Sequence, residues 1–402
     1  MADPARAGSP VREQAALADY TTLRLGGPAR RLVEAATEAE TVAEVRAADE
    51  RGEPLLVLGG GSNLVVADEG FPGTVVHVAT RGVHHRIAGH GAGGSGTEGN
   101  GEDPVELTVA AGEDWDAVVA GCVGEGLAGM ECLSGIPGRA GATPIQNVGA
   151  YGQEVAERIT SVRVYDRARR AVTDLARADC GFGYRTSAFK RSLQVAPAAA
   201  PAAPAAVTGR FVVLSVRFLL VRDRLSAPVR YPELARVLGL PEGGRAPLAA
   251  VRSAVLGLRR GKGMVLDPGD PDTRSVGSFF LNPVLDRGRF AEVERAARAV
   301  AGPGARVPCY PAGDGQVKVS AAWLIEQAGF QKGYPAMGAG ASAAGESTRG
   351  ARISSKHTLA LVNPGEATTA GLLALAREIR EGVRAAFGVE LASEPVLVGA
   401  GL

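Results

Sequence analysis

A charge-poor, glycine-rich stretch from Ser134 to Gly152 is the feature of this 402-residue chain that most restricts how it can fold. It contains five glycines, two prolines and a single charged residue, Arg139. Glycine in a helix interior costs about 1 kcal/mol relative to alanine, so the stretch disfavours a helix. A solvated loop would carry more charge. We therefore predict a folded-in loop whose backbone N–H groups face a ligand, with a ligand-free glycine-rich connection as the alternative.

The composition of this loop indicates what kind of ligand it would hold. Gly138, Gly141 and Gly149 would let the backbone approach a ligand without a Cβ in the way. The side-chain amides of Gln146 and Asn147 can donate to and accept from the edge of a ring. These features together fit a flat, partly apolar cofactor that carries phosphate.

A second glycine segment follows a short apolar run, Leu55–Leu58, that we predict to be a buried strand. Successive glycine N–H groups after a strand form a concave anion-binding site, or nest. A plain tight turn needs one or two glycines, so a third favours contact with a phosphate. The segment consists of Gly59, Gly60, Gly61, Ser62 and Asn63.

Composition excludes several classes of function. The net charge of +1 gives no reason to expect nucleic acid or an anionic membrane as a partner. No apolar run is long enough to span a bilayer, and the N-terminal residues lack the apolar core of a secretory signal. The four cysteines and five histidines show no paired CxxC and no HExxH spacing. We therefore expect a cytoplasmic protein without a metal site, membrane insertion or an obligate protein partner.

Length and composition also suggest the domain organisation. A chain of this length is expected to form two or three domains. We predict a flexible tail at 1–20, a first domain at 21–226 with subdomains at about 21–87 and 105–226, and a second domain at 227–402. Low-complexity inserts are expected at 88–104, 191–208 and 338–350. The first contains a GxGxxG pattern that we reject as a dinucleotide motif, because no helix opens after it.

Helix and strand signals are clear at many places. A capping box, Thr37 with Glu40, predicts a helix over Glu38–Arg51. Further helices are expected at Trp115–Gly124, Pro232–Leu238, Leu248–Arg260, Arg289–Ala301, Ala321–Ala328 and Thr368–Phe387, and further strands at Leu64–Ala67, Val105–Ala110, Ile159–Asp166 and Arg210–Val221.

Four polar residues lie in unusual surroundings. Arg185 follows a tyrosine in a glycine-bounded turn, and Lys262 lies between glycines. Ser278 lies between a glycine and two phenylalanines, and Glu394 is in the segment Ser-Glu-Pro near the chain end. Each alone has an ordinary structural explanation, such as a surface ion pair or a buried hydroxyl. Together a cation, a hydroxyl and a carboxylate could stabilise and protonate an enolate beside a redox cofactor.

The ordered set of motifs resembles the FAD-dependent UDP-N-acetylenolpyruvoylglucosamine reductase family, over residues 21–398. The motifs are LGGGSNL, SGIPG followed by GATPIQNVGAYG, FGYRTS, GSFFLNP, WLIEQAGFQKG, SSKH and SEP. The resemblance implies an α+β chain: a two-subdomain FAD-binding fold of the vanillyl-alcohol-oxidase (PCMH) type plus a smaller α+β C-terminal substrate domain. It also implies noncovalent FAD, NADPH as co-substrate and a place in peptidoglycan precursor synthesis.

The resemblance assigns roles to residues of this chain. Ser278 would be the proton donor, and Arg185 and Glu394 would stabilise the enol intermediate. The predicted cofactor-binding residues are Gly59, Gly60, Gly61, Ser62, Asn63, Gly138, Gly141, Gln146, Asn147 and Gly149. The predicted substrate-binding or nicotinamide-binding residues are Tyr151, Tyr184, Lys262, Asn282 and Gln327.

The implied reaction is the NADPH-dependent reduction of UDP-N-acetylglucosamine enolpyruvate to UDP-N-acetylmuramate. Two alternatives stay open from the sequence. One is a noncovalent-FAD oxidase of the wider vanillyl-alcohol-oxidase fold, and the other is a catalytically silent nucleotide-sugar binding protein. Some relatives carry an ordered lid after the position of Lys190, where this chain has a Pro/Ala-rich run. We therefore expect no ordered lid there.

Overall fold

The structure, a computed structural model, describes residues 9–87, 104–193, 208–241, 243–335 and 350–402. The three predicted inserts and the rejected GxGxxG pattern lie almost wholly outside the described residues. The chain divides into two compact units by packing, and each is described separately.

The first unit comprises Met1–Ala15, Ala29–Gly60 and Pro72–Arg260 and is built on two sheets. Its strands are β1 Val11–Ala16, β2 Pro28–Ala35, β3 Leu55–Leu58, β5 Phe71–Val78, β6 Val83–Ile87, β7 Pro104–Ala110, β8 Leu127–Ala128, β9 Gly149–Ala150, β10 Gln153–Glu154, β11 Ile159–Asp166, β12 Ala171–Ala176 and β13 Phe211–Arg222. The strand β4, Leu64–Val66, belongs to the other unit. One sheet has the order β1-β2-β5-β3 and the other the order β12-β11-β13-β7-β6, with β8 also paired to β13, and the short pair β9 and β10 stands apart.

Side chains of the long strand β13 lie at the centre of the core that packs on the larger sheet of the first unit. β13 pairs antiparallel with β11 on one side and β7 on the other, and its alternate residues are buried. Trp115 packs against Phe218 with ring centroids 5.8 Å apart. Both rings are fully buried, so this pair stabilises the sheet through apolar burial.

Four helices of the first unit begin at the predicted residues, whereas the helix Ala188–Leu193 was not predicted from the sequence. α1, Glu38–Glu50, has the predicted capping box between Thr37 and Glu40. α2, Trp115–Gly124, begins after Asp114, whose carboxylate accepts from Ala117 N. The remaining helices of this unit are α3 Ala188–Leu193, α4 Pro232–Leu238 and α5 Leu248–Gly261.

The predicted flexible tail is wrong for its second half. Val11–Ala16 forms an edge strand, and the carbonyl of Pro10 accepts a hydrogen bond from Glu34 N at 3.1 Å. Leu17 is buried with 1% of its surface exposed. The local sequence gives no strand signal here because the ordering comes from pairing with β2.

The first compact unit also extends beyond the predicted boundary near Ser226, to Arg260. Apolar residues of α4 and α5 pack around Val229 and Cys132. Glu131, 1% exposed, accepts from Ala227 N at 2.8 Å. Residues 227–260 therefore pack with the first unit, and the assignment of 21–226 and 227–402 as functional domains stays a prediction.

The second unit comprises Ala16–Pro28, Gly61–Phe71 and Gly261–Leu402. The strand β20, Val396–Val398, runs parallel to β4, so the chain end pairs with the segment that follows the glycine nest. Its core combines buried side chains of the helix Thr369–Phe387, here α8, with residues of two three-stranded sheets. The other elements are β14 Ser275–Ser278, β15 Val284–Leu285, α6 Arg287–Ala301, β16 Cys309–Pro311, β17 Val317–Val319, α7 Ala321–Gln327, β18 Arg352–Ile353 and β19 Ala360–Val362.

Two kinds of feature are absent from the described residues. None of their helices has the length and apolar character needed to cross a membrane. The same residues contain no group of three or more histidine, cysteine, aspartate or glutamate side chains placed to hold a metal ion.

Glu131 is expected to make a large contribution to the stability of the first unit. Its carboxylate also accepts from Gly129 N at 2.6 Å and Gln153 Nε2 at 3.1 Å. Glu131→Gln would place an amide NH2 against these donors, so we expect a loss of about 2–3 kcal/mol in unfolding free energy. Urea denaturation measures it. The exposed Glu50→Gln is the control, with an expected change below about 0.5 kcal/mol, and equal effects of the two would contradict the prediction.

Candidate active site

The two predicted glycine segments lie against each other within the first unit. A Cβ placed on Gly60 would lie 2.8 Å from the Cα of Gly138, closer than real Cβ contacts allow. A Cβ on Gly59 would make an ordinary contact, 3.4 Å from the Cβ of Arg139. Gly138 has φ of +120°, a conformation that favours glycine. The close backbone approach therefore depends on Gly60 and Gly138.

The backbone N–H groups of these two segments fit a cofactor that carries phosphate. The described contacts include no protein acceptor for the backbone N–H groups of Gly59, Gly60 and Gly138. Arg139, half-buried, brings a cation to the same place. N–H groups of this kind bind anions, so the residues present fit the diphosphate of a dinucleotide such as FAD.

Three other glycines are required by contacts within the protein. In the second unit, a Cβ on Gly61 would lie 2.0 Å from the carbonyl oxygen of Tyr20. In the first unit, a Cβ on Gly141 would lie 2.5 Å from that of Ala111, and one on Gly149 would lie 2.9 Å from the carbonyl of Gln153. These contacts explain the glycines at Gly61, Gly141 and Gly149 without a bound group, and cofactor contact at these positions stays a prediction.

The side chain of Asn147 is also used within the protein. Its Oδ1 accepts from Ala156 N at 3.1 Å, and its Nδ2 donates to Glu154 Oε2 at 2.7 Å and to the carbonyl of Gly183 at 3.2 Å. Asn147 is 1% exposed. The amide is therefore engaged within the protein, and its role as a partner for a ring edge stays a prediction. Its neighbour Gln146 is half-buried in the same loop.

Arg185 is brought to this loop by two hydrogen bonds. Its Nη1 donates to the carbonyl of Asn147 at 3.3 Å, and its Nη2 donates to the carbonyl of Gly149 at 2.9 Å. Its guanidinium carbon lies 5.7 Å from the ring centroid of Tyr184, a cation–π distance. The predicted loop and the predicted cation are therefore parts of one cluster.

Strained backbone marks the same cluster. Asn147, Tyr151 and Arg185 have φ of +49°, +48° and +51°. Non-glycine residues rarely adopt this region, and such strain is concentrated at functional sites. Tyr151 packs edge-on against Tyr231, with ring centroids 5.4 Å apart.

Several residues that support this loop were not predicted from the sequence. Asp116 accepts from Gly135 N at 2.6 Å and forms a bidentate pair with Arg252, which together keep the pKa of Asp116 low despite its burial. Burial lowers the pKa of Arg259 to about 10, so it is charged at neutral pH. Tyr151 and Asp116 act on Arg259 electrostatically. The seven-residue spacing of the two arginines on α5 is the signal that could have indicated a shared face.

In the second unit, the segments that carry Ser278 and Glu394 lie side by side. Glu394 N donates to the carbonyl of Phe279 at 2.8 Å, one residue after Ser278, and Phe280 and Ser393 form a bridge. The carbonyl of Asn63 accepts from Val396 N at 3.0 Å. Backbone hydrogen bonds thus join three segments: the end of the glycine nest, the segment that carries Glu394 and the segment that carries Ser278.

The other predicted binding residues of the second unit are distributed around α7 and the loop after α5. Asn282 Oδ1 accepts from Ala321 N at 2.9 Å, at the start of α7, and Gln327 is the last residue of that helix. Lys262 follows α5 and acts electrostatically on His357. Ser62 is half-buried beside Asn63.

Comparison with known proteins gives concordant matches. Residues 29–173 match the family model of an FAD binding domain, and residues 270–398 match that of the UDP-N-acetylenolpyruvoylglucosamine reductase C-terminal domain. The chain is 53% identical to the UDP-N-acetylenolpyruvoylglucosamine reductase of Thermobifida fusca, over 95% of this chain and 96% of the relative. It is 54% identical to that of Saccharopolyspora erythraea, over 100% and 99%.

Among solved structures, the fold resembles the UDP-N-acetylenolpyruvylglucosamine reductase of Thermus caldophilus. The TM-score is 0.58 at 24% identity, covering 97% of this chain and 99% of the other. Together with the two family models, this likeness confirms the predicted α+β fold, with an FAD-binding domain followed by a C-terminal domain.

His357 is expected to make the protein less stable in acid. Burial, together with Lys262 and Lys332, lowers its pKa from 6.5 to about 4. Because the pKa is depressed in the folded state, the contribution of His357 to the unfolding free energy is fully present above about pH 6.5. That contribution is lost as the pH falls from about 6.5 to about 4. The expected loss is up to about 3 kcal/mol.

Urea denaturation at pH 7 and pH 4.5 should show a smaller pH effect for His357→Gln than for the unsubstituted protein. The exposed His84→Gln is the control, and an unchanged pH effect in His357→Gln would contradict the prediction.

Gly60→Ala is expected to weaken FAD binding, because the added methyl group would push Gly60 and Gly138 apart. Overpacking of this kind costs about 1–3 kcal/mol, so we expect at least about tenfold weaker FAD affinity in a titration of the apoprotein. Gly59→Ala is the matched control and should stay within about twofold, because its new Cβ makes only an ordinary contact. Equal affinities of the two variants would show that the close approach does not shape the site.

Proposed function

The chain belongs to the UDP-N-acetylenolpyruvoylglucosamine reductase family, and on that premise we propose that it reduces UDP-N-acetylglucosamine enolpyruvate to UDP-N-acetylmuramate with NADPH. In the balanced reaction, the enolpyruvyl double bond gains a hydride and a proton, and NADPH becomes NADP⁺. The product class places the enzyme in peptidoglycan precursor synthesis.

One observation supports this function most directly. The Ser278 segment and the Glu394 segment are hydrogen-bonded to each other, and Glu394 lies two residues before the contact with Asn63. The segments that carry the hydroxyl and the carboxylate and the end of the glycine nest therefore belong to one backbone hydrogen-bond network in the second unit. An enol-protonating site beside a dinucleotide needs this set of groups.

FAD, when bound, supplies hydride transfer between NADPH and the enolpyruvyl group. On the protein side, Gly59, Gly60 and Gly138 would donate backbone N–H groups to the diphosphate, with Arg139 as a nearby cation. The neighbouring loop would line the ring through its backbone and through Gln146. This assignment rests on the unpaired N–H groups described above.

Ser278 would donate the proton to the carbon next to the one that receives hydride. A serine hydroxyl is a weak acid, but the enolate left after hydride addition is a strong base, so a neutral hydroxyl suffices. Solvent would then reprotonate the serine. Arg185 and Glu394 would lower the barrier by stabilising the developing charge in a site that excludes water.

The substrate would be held by Tyr151, Tyr184, Lys262, Asn282 and Gln327. Lys262 brings a cation suited to a phosphate, and the tyrosines of the first unit lie beside Arg185 and the strained loop. The identity to full-length reductases favours this function over an oxidase or a catalytically silent binding protein.

Ser278→Ala tests the proposed role of the hydroxyl. General acid catalysis contributes about 10²–10⁴-fold, so reoxidation of the reduced flavin by the enolpyruvyl substrate should slow by that factor. Flavin reduction by NADPH should be nearly unchanged, because no proton from Ser278 enters that step. Stopped-flow absorbance of the two half-reactions measures both.

The neighbouring Ser275→Ala is the control, since Ser275 lies on the same strand and its hydroxyl accepts from Gly277 N. It should leave the ratio of the two rates unchanged. Equal slowing of both half-reactions in Ser278→Ala would argue that the hydroxyl is structural.

A further inference from the structure

The buried amide of Asn147 joins the predicted cofactor loop to the turn that carries Arg185. Its Nδ2 donates to the carbonyl of Gly183, and Gly183 and Thr186 exchange two backbone hydrogen bonds, of 3.0 and 3.2 Å, around Arg185. The amide therefore binds the backbone of the turn from which the Arg185 side chain extends.

The backbone of Asn147 binds the guanidinium end of the Arg185 side chain. The carbonyl of Asn147 accepts from the Arg185 guanidinium, and the carbonyl of Gly149 accepts beside it. Asn147 and Arg185 both have positive φ, and asparagine tolerates that region better than most residues. One residue thus contacts both the turn that carries Arg185 and the guanidinium at the tip of its side chain.

The Arg185 guanidinium and the Glu154 side chain both lie close to Gly149. A Cβ on Gly149 would be 3.0 Å from Cγ of Glu154 and 3.2 Å from Nη1 of Arg185. Glu154 in turn accepts from the Asn147 amide at 2.7 Å. Movement of Asn147 would therefore shift the carbonyl that Arg185 uses and the carboxylate beside it.

We propose that Asn147 is a positioning residue that sets where the Arg185 guanidinium lies, and that it does not act as a ligand of the flavin ring. The inference rests on the proposed role of Arg185 in stabilising the enolate. It assigns to an asparagine of the cofactor loop a role in the substrate half of the reaction.

Two substitutions test this inference. Asn147→Gly keeps the positive φ and deletes the amide. Asn147→Asp keeps the shape and the acceptor for Ala156 N, but it removes the donor to Gly183 and Glu154 and places a carboxylate beside Glu154. In both, we expect flavin reoxidation by the enolpyruvyl substrate to slow about 10- to 100-fold. Flavin reduction by NADPH, the FAD dissociation constant and the absorbance spectrum of the bound flavin should change by less than about threefold.

A double substitution separates positioning from general damage. Arg185→Ala should slow reoxidation strongly, and adding Asn147→Gly to it should slow the reaction by less than a further twofold or so, because the two residues act as one unit. The matched control is Asn363→Asp, a buried asparagine of the second unit that likewise donates to a carbonyl and accepts from backbone N–H groups. It should leave the ratio of the two half-reaction rates unchanged.

The possible failures are distinguishable. If Arg185→Ala leaves reoxidation unchanged, the proposed role of Arg185 is overturned, and the inference with it. If Arg185→Ala slows reoxidation but the Asn147 variants do not, or if the effects multiply, only the inference about Asn147 is overturned. Loss of FAD affinity or an altered flavin spectrum in both Asn147 variants would instead identify the amide as part of the cofactor site.

Discussion

The contact between the backbones of Gly60 and Gly138 is the constraint on which the first unit's site depends. Two chain segments nearly 80 residues apart approach so closely that a single methyl group would separate them. No protein acceptor is described for the N–H groups of Gly59, Gly60 and Gly138, so both segments have donors that could bind the proposed diphosphate. Side chains could not provide this arrangement, because backbone donors are fixed by the fold and lose no rotamer entropy on binding.

Local signals made much of the fold predictable. α2, α4, β3 and β11 have the predicted bounds because capping residues, apolar runs and bounding glycines all lie within a few residues of each element. Edge strands were less predictable. Val11–Ala16 is largely exposed, so its sequence lacks alternation, and only the pairing with β2 orders it. The packing of 227–260 on the first unit likewise depends on distant partners such as Glu131.

The site was predictable in its parts but not in how they are used. The glycine pattern correctly indicated close backbone approach, yet at Gly61, Gly141 and Gly149 the neighbour that requires glycine is the protein itself. A sequence cannot distinguish these cases, because a carbonyl from a distant segment excludes a Cβ in the same way as a ligand does. The same ambiguity explains Asn147, whose amide fits a ring edge as well as it fits Gly183 and Glu154.

Strain and buried polar bonds together explain why the loop can be rigid without regular structure. Asn147, Tyr151 and Arg185 each hold a costly φ, roughly 1–3 kcal/mol apiece, which persists only where surrounding contacts determine it. Glu131 with Gln153, and Asp116 with Gly135, supply such contacts at the ends of the loop. In the proposed reaction, a guanidinium held by two carbonyls of this loop would need little reorganisation when charge develops on the substrate. Such preorganisation is how a polar group in a dry site gains most of its catalytic effect.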